Sequence, residues 1–440
     1  MSLLVAFALT GCVSLSGVNT PLERYDPTHG YRPHDRENNR DVGRNVIYLA
    51  FSGGGTRAAA FAYGVLEELR DTQITVDGVE RRLLDEVDTI SGVSGGSFPA
   101  AYYGLFGDRL FEEFEPRFLR KNVQAALLLA ALRPWNLVGL MTPWLTRSDL
   151  ASRYYDDRVF EGATFADLAR ARGMRIHINA TDLSSGERFT FNQEVFDLIC
   201  SDLDVLPIST AVAASSAVPM LLSPITIRNY AGTCGYEPPE WVKRALEGAD
   251  MDERRKRAAR NFYAMRDAGS KRYIHLVDGG ISDNLGLRPA IDFVTAVGGI
   301  EALREIQGFQ VPDRMVVIVV NAETDPDPMI DLTAAAPSFA SLMNSVSGGQ
   351  IRRYNFETLM LTKGLLERWG RELSSDAHRV TTHMINVSFD ALQDPDERRY
   401  FKHIPTSFSL SDKQVDRLRE AGRRLLRDSP DFQALLRDMR

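Results

Sequence analysis

Apolar residues recur along this chain in two periods. Mostly apolar stretches of strand length stand at 45–51 (NVIYLAF), 273–277, 315–321 (MVVIVVN) and 384–389, and 87–90 reads as the end of a short buried strand. A strand covered by helices on both faces needs such a run, because neither face meets water. Other stretches carry the helical period. Phe61, Val65, Leu66 and Leu69 fall on one face of a helix predicted over 58–70, and Phe98, Ala101, Tyr102 and Leu105 on another after Ser97. Residues 339–366 read as largely helical. Ser411 and Gln414 form a capping box for a final helix through 427, with Val415, Leu418, Leu425 and Leu426 as its buried stripe. Residues 174–182 and 187–191 predict a hairpin at the sheet edge, turning through Ser184, Ser185 and Gly186.

Candidate chemistry sits where strands give way to glycine. The run 87–90 empties into Gly92-Val93-Ser94-Gly95-Gly96, a G-x-S-x-G pentapeptide followed by helical spacing. A sharp strand-to-helix turn lifts its central hydroxyl above the sheet and sets it at a helix N-terminus. The run 45–51 empties into Ser52-Gly53-Gly54-Gly55-Thr56-Arg57 and then a helix. Successive glycines there leave N–H groups uncovered, and with the helix dipole they suit an oxyanion. A nucleotide-phosphate cradle is the weaker reading, since neither nucleotide-binding glycine motif is present at this site. The run 273–277 ends at Asp278-Gly279-Gly280, which turns tightly and places a carboxylate at a strand end, where open α/β sheets put ligands.

These stretches together resemble the patatin-like phospholipase family. The oxyanion loop G-G-G-x-[RK]-G is matched by Gly53 to Ala58, the nucleophile elbow by Gly92 to Gly96, and the D-G-[GA] aspartate by Asp278 to Gly280. A fourth block, small residues ending in proline, is matched by Ala213 to Pro219. Ala58 departs from the family's glycine, which matters only if that position needs positive φ. The resemblance implies a Ser–Asp dyad, with Ser94 as nucleophile and Asp278 as base. It also implies an oxyanion hole at Gly53, Gly54 and Gly55, supported by Arg57, Gly92, Gly96, Gly279 and Gly280. Glycerophospholipids or related lipid esters are the implied substrates, with no cofactor and no metal.

An unperturbed aspartate, pKa about 3.9, is a weak base for a serine hydroxyl; burial would raise its basicity. The competing arrangement is a Ser-Asp-His triad with His378, His383 or His403. Those histidines stand in ordinary surroundings, and the dyad is the favoured reading. A rival of another class is a catalytically silent, membrane-tethered binding or assembly protein that has kept the fold.

With 440 residues, 44% hydrophobic and 25% charged, the chain has material for one large domain. A net charge of −7 argues against nucleic acid as the main partner. The N-terminus carries Leu9-Thr10-Gly11-Cys12 after a short apolar run, similar to a bacterial lipobox whose cysteine is lipidated, although no Lys or Arg precedes the run. The expected organisation is a signal and lipidation site over 1–18, an exposed polar linker over 19–44, and a catalytic domain over 45–440. That domain is expected as three layers, α/β/α, around a mixed, mainly parallel sheet, with an insertion over 225–272. Val13 and Ser14 follow the cysteine without an aspartate, which favours the periplasmic side of the outer membrane by family analogy. Extended, the linker could reach on the order of 100 Å.

Three further expectations concern the middle of the chain. Residues 123–132 (VQAALLLAAL), followed by Trp135, Leu137, Leu140, Met141, Trp144 and Leu145, are expected as core packing rather than as an interfacial segment or lid. Charges over 252–266 are expected as a solvated helix face rather than a headgroup contact. In an oxidising periplasm, Cys200 and Cys234 are expected to pair across a loop of about 34 residues.

Overall fold

A computed structural model describes residues 19–33 and 44–440, apart from 143–144, 172, 220, 249–251, 326–331, 333 and 335. The apolar runs form strands: β1 Asn45–Phe51, β2 Val87–Val93, β3 Arg175–Asp182, β4 Arg188–Thr190, β5 Ile225–Arg228, β6 Tyr273–Asp278, β7 Arg314–Asn321 and β8 Thr381–Ser388. They make one sheet in the order β8-β7-β1-β2-β3-β6-β5, with β4 paired to β3. The strands from β8 to β3 are parallel, while β6 runs antiparallel to β3, and β5 to β6. The sheet is therefore mixed and mainly parallel. Strand β7 shows why a continuous apolar run is needed. Val316, Ile318 and Val320 join the core on one face, and Met315, Val317 and Val319 join the core on the other.

Helices fill both faces: α1 Gly55–Asp71, α2 Ser97–Phe106, α3 Val123–Ala131, α4 Pro134–Leu140, α5 Arg147–Tyr155, α6 Ile208–Ser215, α7 Phe339–Leu373 and α8 Asp412–Arg427. On one face, α1 is buried along nearly its whole length between the sheet and α8. Full burial of Phe61, Val65, Leu66 and Leu69 contributes about 1.5–3 kcal/mol per side chain. The helices approach closely through glycine. A Cβ on Gly64 would lie 2.1 Å from the Arg419 carbonyl oxygen, and one on Gly422 2.4 Å from that of Phe61. Arg419–Glu67 at 2.7 Å and Arg423–Asp71 at 2.7 Å fix the register of the pair. On the other face, Leu366, Trp369 and Leu373 of α7 cover Met315, Val317 and Val319. A further helix, Pro430–Asp438, follows the one predicted to be last.

Several expectations need correction. The hairpin of β3 and β4 is not at an edge, because β6 and β5 extend the sheet beyond β3. Ile225–Arg228 belongs to that sheet, so the insertion is the excursion of a long hairpin between β5 and β6, carrying helices Glu240–Glu247 and Glu253–Arg266. The latter exposes Arg254, Arg257 and Arg260 and buries Ala259, with Arg257 on Glu187 and Lys256 on Glu253.

Residues 19–33, expected as the start of a polar linker, are a packed strap. Thr20 and Pro21 pair with Asp202 and Ser201, Leu22 and Tyr31 are buried, and Arg32 meets Asp197 at 2.7 Å in a buried ion pair. Irregular spacing hid this, since the strap is held by isolated anchors rather than by a periodic face. Cys200 and Cys234 are joined, with Cα atoms 5.5 Å apart. Their carbonyls accept from the N–H groups of Leu22 and Tyr25, so the bridge fastens the strap. Cys12 and the predicted signal over 1–18 lie outside the described residues, as do linker residues 34–43.

The apolar stretch expected in the core is not there. Leu128, Leu129 and Leu132 of α3 and its end, and Trp135, Val138 and Met141 around α4, are exposed. Periodicity could not reveal this, because a run apolar all round has no face to assign.

Candidate active site

Strand β2 ends in a turn at Ser94, whose φ of 50° lies in the left-handed region that non-glycine residues rarely adopt. Such strain persists only where the surroundings over-determine it. Three contacts do so. The Ser94 N–H donates to Ser215 Oγ at 2.9 Å, Ser215 Oγ donates to the Asn179 carbonyl at 2.6 Å, and Ser97 Oγ donates to the Ser94 carbonyl at 2.5 Å. The small residues of the elbow are set by packing. A Cβ on Gly95 would sit 1.9 Å from the Gly55 carbonyl oxygen, so only glycine lets the elbow lie against the glycine loop.

Asp278 reaches Ser94 through strand register. Val93 pairs with Asn179 on β3, and Ala180, the next residue, pairs with Asp278 on β6. Because β6 runs against its neighbour, its C-terminal residue stops at the level where β2 ends. The carboxylate thus arrives head-on from the opposite direction, and the ligand crevice of parallel strands does not account for its position. Ser94 Oγ donates to Asp278 Oδ2 at 2.7 Å, and the Gly280 N–H donates to Oδ1 at 2.8 Å. The Asp278 carbonyl accepts from Thr181 Oγ1 at 2.9 Å, and the N–H of Gly279 donates to the Ser215 carbonyl at 3.0 Å. Burial pushes the Asp278 carboxyl up to about 6, although the bonds from Ser94 and Gly280 pull the other way. A carboxylate at that value is a better proton acceptor than a solvated one.

The glycine loop approaches from β1. The Gly53 N–H already donates to the Asn284 carbonyl at 3.0 Å, so this expected oxyanion donor serves to tie the loop to the aspartate turn. Among the described residues, the N–H groups of Gly54 and Gly55 make no such bond, and φ values of 142° and 59° at these residues turn the chain into α1. Arg57 is buried, donating to the carbonyls of Ala322 at 3.0 Å and Ile404 at 2.5 Å and to Thr406 Oγ1 at 3.2 Å. Burial lowers its pKa to about 10. It staples the loop from beneath. Ala58, the departure from the family pattern, lies within α1 and has no positive φ.

Gly92, Gly96, Gly279 and Gly280 all flank the Ser94–Asp278 contact in the turns just described. Two residues escaped the sequence reading. Ser215 lay unnoticed within the small-residue block, and Asn284 follows the aspartate turn by four residues. Neither carries a local signal, since each acts through a partner distant in sequence.

The histidines weighed as bases lie elsewhere. His383, on edge strand β8, has Nε2 2.9 Å from Asp438, His378 Nε2 meets the Pro312 carbonyl at 3.1 Å, and His403 Nδ1 meets that of Arg399 at 2.7 Å. His29, Asp202 and Asp204 come together where the strap meets the body, and His29 pairs with Asp202 at 3.0 Å.

The profile of the patatin-like phospholipase family matches residues 49–291, which hold Ser94, Asp278 and the glycine loop. No curated protein matches the chain. Among solved structures, human GIVD cytosolic phospholipase A2 aligns with a TM-score of 0.45 at 12% identity, over 90% of this chain and 62% of that one. The same human protein in complex with methyl gamma-linolenyl fluorophosphonate aligns with a TM-score of 0.41 at 13% identity, over 90% of this chain and 59% of that one. The chain thus spans about three-fifths of the length of these structures.

Proposed function

The chain belongs to the patatin-like phospholipase family, and from that premise we propose that it is a lipid acyl hydrolase working through Ser94 and Asp278. The observation that carries the reading is the buried 2.7 Å hydrogen bond from Ser94 Oγ to Asp278 Oδ2, made at a strained elbow beside a glycine loop. Ser94 Oγ attacks the ester carbonyl carbon while its proton passes to Asp278 Oδ2. Negative charge develops on the carbonyl oxygen, where the N–H groups of Gly54 and Gly55 and the N-terminus of α1 receive it. Collapse of the tetrahedral intermediate breaks the ester C–O bond, and Asp278 returns the proton to the leaving alcohol. Water, deprotonated by Asp278, then attacks acyl-Ser94 and releases the fatty acid. Both half-reactions use the one carboxyl as base and then as acid, and neither needs a histidine.

Glycerophospholipids are the substrate class that the family favours. A fluorophosphonate probe should label the wild type on Ser94, and product analysis on a mixed lipid panel should show fatty acid release. Ser94→Ala and Asp278→Asn should each lower turnover by at least about a thousandfold, consistent with the loss of a nucleophile or its base. His378→Ala, His383→Ala and His403→Ala should keep most activity. A folded histidine variant as inactive as Ser94→Ala would overturn the dyad, and a wild type that neither labels nor hydrolyses any lipid would favour the silent binding protein. For location, the proposal is a lipid anchor on Cys12 at the outer membrane, and intact-mass analysis finding an unmodified Cys12 in the mature chain would refute it.

A further inference from the structure

Helices α3 and α4 take no part in the chemistry above, yet they carry an exposed apolar surface. Leu128, Leu129, Leu132, Trp135, Val138 and Met141 are each between 56% and 88% exposed. A surface of this kind marks a contact with another apolar phase. The stretch is also unusual in charge. From Lys121 to Ser148 the chain has no carboxylate, although the whole protein is at −7, and it carries Lys121, Arg133 and Arg147, all exposed.

The shape limits what that phase can be. No single described helix is long and apolar enough to cross a membrane, and α3 and α4 are bent 83° at their break. The limbs are about 14 and 10 Å long, each less than half of a hydrocarbon core of about 30 Å. The bend is held, because Asn136 Nδ2 donates to the Ala130 carbonyl at 2.8 Å across it. A rigid, bent apolar hairpin flanked by cations, with a tryptophan at the bend, suits the headgroup–acyl boundary of an anionic bilayer.

The hairpin is mounted on both walls of the active site. The N–H groups of Val123 and Gln124 donate to the Phe408 carbonyl at 3.1 and 3.4 Å, and the preceding carbonyl, that of Ser407, accepts from Thr56 at 2.9 Å beside the glycine loop. Beyond α4, Ser152 on α5 meets Thr210 on α6 at 3.0 Å, and α6 ends at Ser215, which holds the Ser94 N–H.

We propose that the α3–α4 hairpin is the membrane-docking surface of this protein, seating in an anionic lipid interface so that lipid reaches Ser94 from the headgroup layer. The proposal deepens the lipid hydrolase reading and rests on it for its purpose. Its test is therefore read as binding, in a Ser94→Ala background that is independent of catalysis. The full chain carrying Cys12→Ser, so that no acyl anchor contributes, is sedimented with vesicles of phosphatidylcholine alone or mixed with phosphatidylglycerol. Binding should favour the anionic vesicles, shift tryptophan emission to the blue, and weaken at least about tenfold in Leu129→Glu/Val138→Glu. The same double variant with Ser94 intact should hydrolyse a water-soluble short-chain ester within about twofold of the parent while losing turnover on vesicles. If that variant fails to fold, Arg133→Glu serves instead and should weaken anionic binding alone. Equal binding by variant and parent overturns the proposal. So does a parent that ignores vesicles and instead dimerises through this face, with the dimer lost in the variant.

Discussion

Asp278 is the residue on which chemistry and stability pull in opposite directions. Its carboxyl titrates near 6 in the folded protein because it is buried, against about 3.9 in an unfolded chain. Hydrolysis of a soluble ester should therefore rise with pH through a midpoint near 6, read in kcat/KM, as the base loses its proton. The stability effect has the opposite sign. Below about pH 4 both states hold the proton and nothing is lost. Between there and pH 6 the folded state keeps a proton that the unfolded state has released, so stability falls as pH rises. Above 6 the deficit remains, on the order of 3 kcal/mol. Asp278→Asn should thus be inactive yet more resistant to urea at pH 8, by about 1–3 kcal/mol, with the gain vanishing near pH 4. An advantage over the wild type that is no larger at pH 8 than at pH 4 would show that burial of the charge costs nothing here.

At the scale of elements, the site depends on how closely the Ser94 elbow lies on the glycine loop. Gly95→Ala would place a methyl carbon 1.9 Å from the Gly55 carbonyl oxygen, so the loop must retreat. Activity should fall by about a hundredfold or more with Ser94 and Asp278 intact, because a misplacement of about 1 Å costs that much. Stability should drop by about 1–3 kcal/mol, as for other overpacked sites, and a urea melt beside the soluble-ester assay reads both. Residue pattern made part of this arrangement legible. The buried strands β1 and β7 were mostly apolar runs, and the glycines marked both turns. The direction of β6 was not legible, since a short strand reads the same either way and only pairing decides it. Nor was the close packing of α1 on α8, because Gly64 and Gly422 look like weak points in a helix until the partner is known. The hairpin of α3 and α4 defeated the pattern for a different reason. Apolar content speaks of what a segment avoids, and both a core and a lipid surface satisfy it.

Across the whole molecule, the bridge between Cys200 and Cys234 closes a loop of sequence separation 34 and holds the strap over residues 19–33. By chain entropy, Cys200→Ala/Cys234→Ala should cost about 3–4 kcal/mol, measured by urea unfolding. Limited proteolysis should then cut first between Asn19 and Pro33, where the intact protein resists. The strap also bears on the proposed attachment through Cys12. If residues 19–44 were free, an anchor on Cys12 would be a long mooring line. With Asn19 already seated on the body, six residues separate that anchor from the fold, a reach of about 25 Å at full extension. So anchored, the body would ride like a hull at short stay, its facing restricted by where the line leaves the deck. A reducing environment that opened the bridge would loosen the cleat, paying out line and letting the same body swing.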